Sequence, residues 1–165
     1  MPDLQRLSPA HAAAVLDFEV ANRAYFAASI TDRGDEFFEH FTERHDALLA
    51  EQEAGAAAFH VLVDDDGSVL GRFNLLFDGD GSAKLGYRVA QHAAGRGLAT
   101  ATVAELGRLA AARYGLRRIR AATSHQNIAS RRVLTKAGYL PVGPADPSEL
   151  GGKAGTWYEL VLADG

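Results

Sequence analysis

The stretch YRVAQHAAGRGLATATVAEL, residues 87–106, begins with the alternating pattern of a strand and ends with the spacing of a helix. Between the two patterns lies AAGRGLAT (93–100), whose glycines permit backbone conformations that side chains disfavour. The first N–H groups of a helix have no partner within the helix, and the helix dipole adds positive charge there. The loop therefore predicts a phosphate site, although a tight turn without a ligand fits the same residues equally well.

Two familiar phosphate-binding loops do not fit this stretch. A Walker loop requires Lys-Ser or Lys-Thr after the second glycine, and Gly97 is followed by Leu98 and Ala99. A dinucleotide-binding loop follows the first strand of a parallel sheet, whereas the strands predicted before Gly95 form an antiparallel meander. The sequence therefore indicates a phosphate loop of another class.

Helical and strand patterns alternate along the rest of the chain. After a short strand LQRL, two helices are predicted from SPAHAAAVLDFEVANRAYFAAS, capped by Ser8, and from GDEFFEHFTERHDALLAEQEAG, ended by Gly55. Three strands of a meander follow, AAFHVLVD, VLGRFNLLFD and AKLGYRVA. Beyond the glycine loop the patterns predict a helix from about Ala99 to Tyr114, followed by strand RRIRAAT and helix NIASRRVLTKA. Two last strands are predicted from YLPVG and GTWYELVLA, and GPADPSELGGKAG is predicted as a mobile loop.

Length and composition indicate an ordinary soluble protein. With 165 residues, 47% hydrophobic and 23% charged, we expect one domain over 1–165 with one hydrophobic core. No apolar run approaches the roughly 18 residues of a membrane span, and MPDLQRLSPAHAAAV lacks the pattern of a secretion signal. We therefore expect a cytoplasmic protein with no membrane partner. The absence of cysteine excludes disulfides and thiol catalysis.

Charge is distributed unevenly along the chain. Residues 1–80 hold 5 Lys/Arg and 16 Asp/Glu, a net charge of −11, while residues 81–165 hold 12 and 5, a net charge of +7. Nine of the cations lie between Arg96 and Lys136, where Glu105 is the only acid. A basic half of this kind favours a phosphorylated ligand or a nucleic acid.

Two segments together resemble a known family. LGYRVAQHAAGRGLATATVAEL and RIRAATSHQNIASRRVLTKAGYLPVG resemble the acetyl-CoA signature of the GNAT acetyltransferase superfamily, and more narrowly its RimJ/RimL-like branch, which acetylates protein N-termini. FEVANRAYFAAS is similar to the Asn-Arg segment in the first helix of that branch. The resemblance implies an α/β (α+β) fold: a mostly antiparallel mixed sheet with a central splay where the cofactor enters, flanked by about four helices.

The same resemblance implies acetyl-CoA as cofactor and transfer of its acetyl group to a primary amine, in the first place the N-terminal α-amine of a protein of the ribosomal type. The family's loop begins with Arg or Gln, where this chain has Ala94; the change removes a side chain near the pyrophosphate but no backbone N–H. Arg131 or Arg132 is a further candidate for the phosphates. The implied cofactor-binding residues are Val89, Ala94, Gly95, Arg96, Gly97, Leu98, Ala99, Thr100, Asn127 and Ser130.

Amine acetylation needs a deprotonated amine, a donor for the developing oxyanion and a proton for the leaving thiolate. By resemblance, the backbone N–H near Val89 meets the oxyanion, Asn127 contacts the pantetheine arm and Ser130 assists the thiolate. Asn127 is equally well explained as a helix N-cap. The base stays open among His125, Glu149, Glu19 and a water chain, with His125 first because its ordinary pKa is near neutrality.

Other functions fit the residues less well. Glu36, His40 and His45 have metal-like helical spacing, but a solvated acidic face explains them better, so no metal is predicted. A nucleic-acid-binding module would use the basic half, where Tyr114 and Tyr139 are too few for a stacking platform. An acetyltransferase for a small amine or amino acid, or a CoA-binding scaffold without catalysis, stays open, as does the choice between monomer and homodimer. The acidic first half favours a basic acceptor.

Overall fold

The computed structural model describes residues 1–162. Within that range the chain forms six α-helices, where the sequence indicated about four, and seven strands. The helices are α1 (Ala12–Ala21), α2 (Arg23–Ala27), α3 (Asp35–Glu39), α4 (Phe41–Glu53), α5 (Leu98–Tyr114) and α6 (Ile128–Lys136). The strands are β1 (Asp3–Arg6), β2 (Ala57–Val63), β3 (Val69–Phe77), β4 (Ser82–Val89), β5 (Arg118–Ser124), β6 (Leu140–Ala145) and β7 (Gly155–Val161).

The seven strands follow the order β1-β2-β3-β4-β5-β7-β6. β2 pairs with β1 and β3, and β7 with β5 and β6, all antiparallel, whereas β4 and β5 run parallel. Registered pairs between β4 and β5 run from Ser82↔Arg118 to Lys84↔Arg120, and each strand continues beyond them. The prediction of a mostly antiparallel mixed sheet in an α/β chain is thus confirmed.

By its contacts the chain divides into two compact units. The first holds Met1–Leu76 and Tyr87–Ala94, and the second holds Phe77–Gly86 and the chain from Gly95 onward. In the first unit, α4 packs on β2 and α1. Its completely buried apolar side chains come from α1, from β2 and β3 and from the residue after β4; they are Val15, Val61, Leu70, Phe73, Leu75 and Ala90.

The second unit has a core of its own, built from β4, α5, β5, α6 and the residue before β6. Its most deeply buried apolar side chains are Ala83, Val103, Leu106, Ala110, Ile119, Leu134 and Tyr139. Gly107 allows α5 to approach β7 closely, since a Cβ at that position would lie 3.3 Å from a methyl of Leu160. The expectation of a single domain over 1–165 stays a prediction.

Both helices predicted before residue 57 are interrupted. The first begins with a 3-10 turn, Pro9–His11, and is broken between α1 and α2 at Asn22, whose φ of −107° and ψ of 9° are not helical. The second is broken between α3 and α4 at His40, with φ −111° and ψ 30°. Ser8 does precede the first turn, and its N–H donates to His11 Nδ1 at 3.0 Å. Hydrophobic periodicity is continuous across both breaks, so it could not reveal them.

The segment GPADPSELGGKAG, expected as a mobile loop, is more regular than predicted. Its first residues extend β6 to Ala145, and Pro147–Leu150 form a 3-10 helix that packs against β5. The Asp146 carboxylate fixes the start of this turn by accepting the Ser148 N–H at 2.9 Å. The last predicted strand ends at Val161, and its final residue, Ala163, lies outside the described residues.

None of the helices within residues 1–162 is both long enough and apolar enough to cross a membrane.

Candidate functional site

The glycine loop ends as the sequence predicts, at the start of a long helix. Gly95 and Gly97 both have left-handed backbones, with φ of 78° and 75°, and Gly97 is the N-cap of α5. The Ala101 N–H donates to Gly97 O at 3.0 Å as the first bond of the helix. The N–H groups of Leu98, Ala99 and Thr100 precede that bond, so they project from the open end of the helix. This end of α5 is therefore a donor-rich, partially positive surface.

Asn127 caps α6, as its alternative interpretation predicted. Its Oδ1 accepts the Ser130 N–H at 3.2 Å, which satisfies one of the free donors of the first turn. This cap uses only Oδ1 and so leaves the Asn127 amide nitrogen as a donor. Asn127 and Ser130 are both half-buried, and α6 packs against α5. The second unit thus holds Asn127, Ser130 and the open end of α5 on two packed helices.

The two candidate bases in the second unit are both exposed. His125 follows β5, and its Nε2 lies 3.0 Å from Thr156 Oγ1. Its backbone is fixed on both sides, because the His125 N–H donates to Ala154 O and the His125 O accepts from Arg131. Glu149 lies in the 3-10 turn that packs on β5. These positions leave His125 held in place and Glu149 on the surface of a short turn.

Cations on α6 line a small cleft of about 400 Å³ in the second unit. Ile128, Thr135 and Tyr158 complete its wall, and its charged residues are Arg131, Arg132 and Lys136. All three are exposed, so their charges are available to an anion. Arg131 and Arg132 are the cations that the sequence indicated for phosphates; Lys136 joins them because it follows one helical turn later.

In the first unit, Val89 ends β4 and Ala94 lies in the loop that follows. The next residue, Ala90, donates its N–H to Leu70 O at 2.8 Å, which holds this end of β4 against β3. Gln91 donates its N–H to the buried Asn22 Oδ1 at 3.0 Å. Asn22 thereby ties the break between α1 and α2 to the end of β4. The Asn-Arg segment is visible in the sequence, but the role of Asn22 is not, because its partner is 69 residues away.

A buried ion cluster occupies the same unit, centred on Glu19, whose side chain is 1% exposed. Its carboxylate accepts from Arg72 at 2.7 Å and from Arg33 at 3.0 Å, with Arg88 at 3.5 Å. Burial raises the pKa of Glu19, but the hydrogen bonds and charges of Arg33 and Arg72 outweigh it, so the net shift is downward. Glu19 therefore stays an ionised structural anion, and its candidacy as a base with a raised pKa is wrong.

Comparison with known families decides what kind of enzyme carries these features. The family model described as an acetyltransferase (GNAT) domain matches residues 3–140. The chain belongs to the GNAT acetyltransferase family. As a GNAT enzyme it is an acetyl-CoA-dependent N-acetyltransferase. A search of curated proteins finds no match.

Several solved structures share this GNAT fold at low sequence identity. A ribosomal-protein-S5-alanine acetyltransferase from Vibrio fischeri is 20% identical with a TM-score of 0.89, over 98% of this chain and 93% of its own. Mycobacterium smegmatis RimJ in complex with CoA-disulfide is 24% identical with a TM-score of 0.83, over 96% and 80%. Spermidine N-acetyltransferase from Vibrio cholerae, in complex with CoA and spermine, is 14% identical with a TM-score of 0.80, over 97% and 95%.

The residues of the glycine loop fit the pyrophosphate of acetyl-CoA. A Cβ built on Gly95 or Gly97 would meet nothing within 4 Å, so the surface above the loop is open. The free N–H groups of α5 begin directly after Gly97, and Arg96 is exposed beside them. Because all of these donors except Arg96 belong to the backbone, the replacement of the family's Arg or Gln by Ala94 leaves them in place.

Proposed function

We propose that this GNAT acetyltransferase acetylates the N-terminal α-amine of a protein, with the Gly95–Thr100 loop binding the pyrophosphate of acetyl-CoA. The observation that carries the cofactor assignment is the left-handed glycine pair leading into the open N-terminus of α5. The acceptor assignment is supported by the Asn-Arg segment, in which Asn22 bonds the backbone just beyond β4. The Vibrio fischeri structure, an acetyltransferase named for alanine of ribosomal protein S5, supports it from the fold.

The loop residues and Asn127 then each have a role that suits their position. Backbone N–H groups of the loop and the Arg96 guanidinium meet phosphate oxygens. The free amide nitrogen of Asn127 donates to the pantetheine arm while its Oδ1 keeps the cap of α6. Positioning of this kind accounts for a loop that has no acid-base group of its own.

Acetyl-CoA supplies the thioester carbonyl that the amine attacks. The backbone N–H near Val89 donates to the oxyanion, since β4 ends there with its following residue fixed on β3. Ser130 assists departure of the thiolate from the first turn of α6. His125 takes the amine proton, directly or through water, because histidine is the side chain most often used as a general base and its backbone is fixed on both sides. Glu149 is the second candidate for that proton.

The distribution of acids favours a basic acceptor. Of the 16 Asp/Glu residues in 1–80, a range that the structure describes completely, Glu19 is the only buried one. The others are exposed or half-buried, so this part of the chain presents acidic groups to cations approaching through solvent. A basic ribosomal-protein tail would be drawn to it.

A small polyamine is the second candidate acceptor. It shares the cationic character that the acidic surface favours, and the spermidine N-acetyltransferase from Vibrio cholerae has the same fold. A peptide and a polyamine are separated by an acceptor screen. Basic peptides with a free N-terminus should be acetylated at the α-amine, and spermidine more slowly; a preference for spermidine, or for acidic peptides, would reverse the assignment.

Thermal unfolding with and without acetyl-CoA tests the cofactor site. A ligand at about a hundred times its dissociation constant adds roughly 2.7 kcal/mol of stability, which raises Tm by about 5–11 °C in a chain of this size. Arg96→Glu should reduce that increase, because it places a carboxylate beside the phosphates. Arg108→Glu makes the same charge change at an exposed position of α5 and should leave the increase unchanged. The loop assignment fails if the two variants respond equally.

A further inference from the structure

A second cleft, of about 540 Å³, lies wholly within the first unit, and the proposed acetyl transfer does not use it. Residues of α3, α4 and β3 line it together with Arg33: Phe37, His40, Glu43, Arg44, Ala47, Leu48, Glu51, Arg72 and Asn74. Its volume is in the range of sites that hold small molecules. Phe37, Ala47 and Leu48 give it an apolar portion, and the remaining lining is polar or charged.

Positive charge is in excess at the buried end of this cleft. Arg33 and Arg72 line it, and both share the single carboxylate of Glu19 with Arg88. Their side chains are 27%, 6% and 17% exposed, so three largely desolvated cations face one anion. Asp32 and Asp35, which lie close to Arg33 in the sequence, are paired with Arg23.

The outer part of the cleft carries one cation and two acids, a net charge of −1. Arg44, Glu43 and Glu51 are exposed residues of α4, where water screens them. His40 lies 3.8 Å from Glu43. The excess of positive charge is thus confined to the deep end, where burial makes an anionic partner most favourable.

Asn74 is the second feature of the cleft, after the excess of positive charge, that favours a ligand. Its Oδ1 is buried and has no hydrogen-bond partner among the described residues. Asn74 and Arg72 are two residues apart on β3, so their side chains share the face that lines the cleft. A buried acceptor without a donor is costly, and a ligand that carries an N–H would satisfy it.

We propose that this cleft binds a small ligand with a carboxylate next to an N–H donor, the chemistry of an acidic amino acid or of a short acidic peptide. The carboxylate meets free N–H groups of Arg33 and Arg72, with Arg44 at the rim, because guanidinium groups match the geometry of a carboxylate. The ligand N–H donates to Asn74 Oδ1. The apolar part of the ligand packs against Phe37 and Leu48.

Calorimetric titration in the absence of acetyl-CoA tests this binding, so its result is independent of the acetyl-transfer proposal. The probes are L-glutamate, the dipeptide Glu-Glu, glutarate as the diacid without N–H, inorganic phosphate and putrescine. Glutamate or Glu-Glu should bind at least tenfold more tightly than glutarate, and whichever of the two is tighter identifies the source of the carboxylate. The proposal is overturned by equal affinities for glutamate and glutarate, by binding of phosphate or putrescine alone, or by no binding.

Two variants test the assigned contacts. Arg44→Ala removes an exposed side chain and should weaken the binding of glutamate about three- to tenfold. Arg113→Ala, an equally exposed change on α5, should not alter it. Asn74→Leu should abolish the preference for glutamate over glutarate while glutarate binding persists. Circular dichroism checks that each variant is folded; a preference that survives in folded Asn74→Leu refutes the role of Asn74.

Discussion

Replacing Glu19 with glutamine should destabilise the first unit strongly. The substitution keeps the size of the side chain but removes the one anion that Arg72, Arg33 and Arg88 share. Arg33 and Arg88 are 27% and 17% exposed and can turn partly toward water, whereas Arg72 is 6% exposed and cannot. The free-energy cost of the substitution therefore comes mainly from Arg72, whose charge stays buried without an anion.

The magnitude follows from that burial. Removing one partner of a buried ion pair costs about 3–5 kcal/mol, since the remaining charge is desolvated without compensation. In a chain of this size each kcal/mol lowers Tm by about 2–4 °C, so Glu19→Gln should unfold about 6–20 °C below the unsubstituted protein. Asp17→Asn, an exposed change on the same helix, should stay within about 0.5 kcal/mol.

The pH dependence has a definite sign. The pKa of Glu19 is lower in the folded chain, because Arg33 and Arg72 outweigh the effect of burial. Its contribution to stability is therefore fully present above the unfolded pKa of about 4.3 and is lost as pH falls through the folded pKa. The stability gap between the unsubstituted protein and Glu19→Gln should narrow in acid.

Urea unfolding at pH 7 and at pH 3 measures both effects. The unsubstituted protein, Glu19→Gln and Asp17→Asn are compared by their midpoints and slopes, because a change of midpoint at constant slope reports stability. If Glu19→Gln and Asp17→Asn share a midpoint at pH 7, Glu19 does not neutralise the buried arginines and the reasoning is wrong.

Three further predictions concern the second unit. Gly155→Ala should lower the free energy of unfolding in urea by about 1–3 kcal/mol, since its Cβ would collide with the Thr123 backbone. Gly86→Ala is the control and should cost far less, because a Cβ at Gly86 would meet nothing within 4 Å. Asn127→Ala should cost about 1 kcal/mol through loss of the α6 cap, and an unchanged urea midpoint would contradict it. Ser130→Ala should lower turnover while acetyl-CoA affinity is kept; a normal rate would remove Ser130 from the mechanism.

Sequence patterns predicted the strands and the later helices well because their signals are local. Alternation of apolar residues located β2, β3 and β4 to within two residues. Gly115 ends α5 with a left-handed backbone at φ 62°, and Gly138 follows α6 with φ 94°, both as their positions in the sequence indicated. The breaks at Asn22 and His40 escaped prediction, since the apolar pattern continues across both residues.

The sequence by itself determined the family and the local form of the glycine loop, the α5 N-terminus and the Asn127 cap, because each of these depends on residues a few positions apart. Only the tertiary structure decided the charge state of Glu19, which depends on Arg72, 53 residues away, and on burial that no local pattern reports. It likewise placed Asn74 and three arginines around one cleft in an otherwise acidic segment. Net charge is summed over sequence, but a desolvated site responds to the few charges that folding brings within hydrogen-bond range.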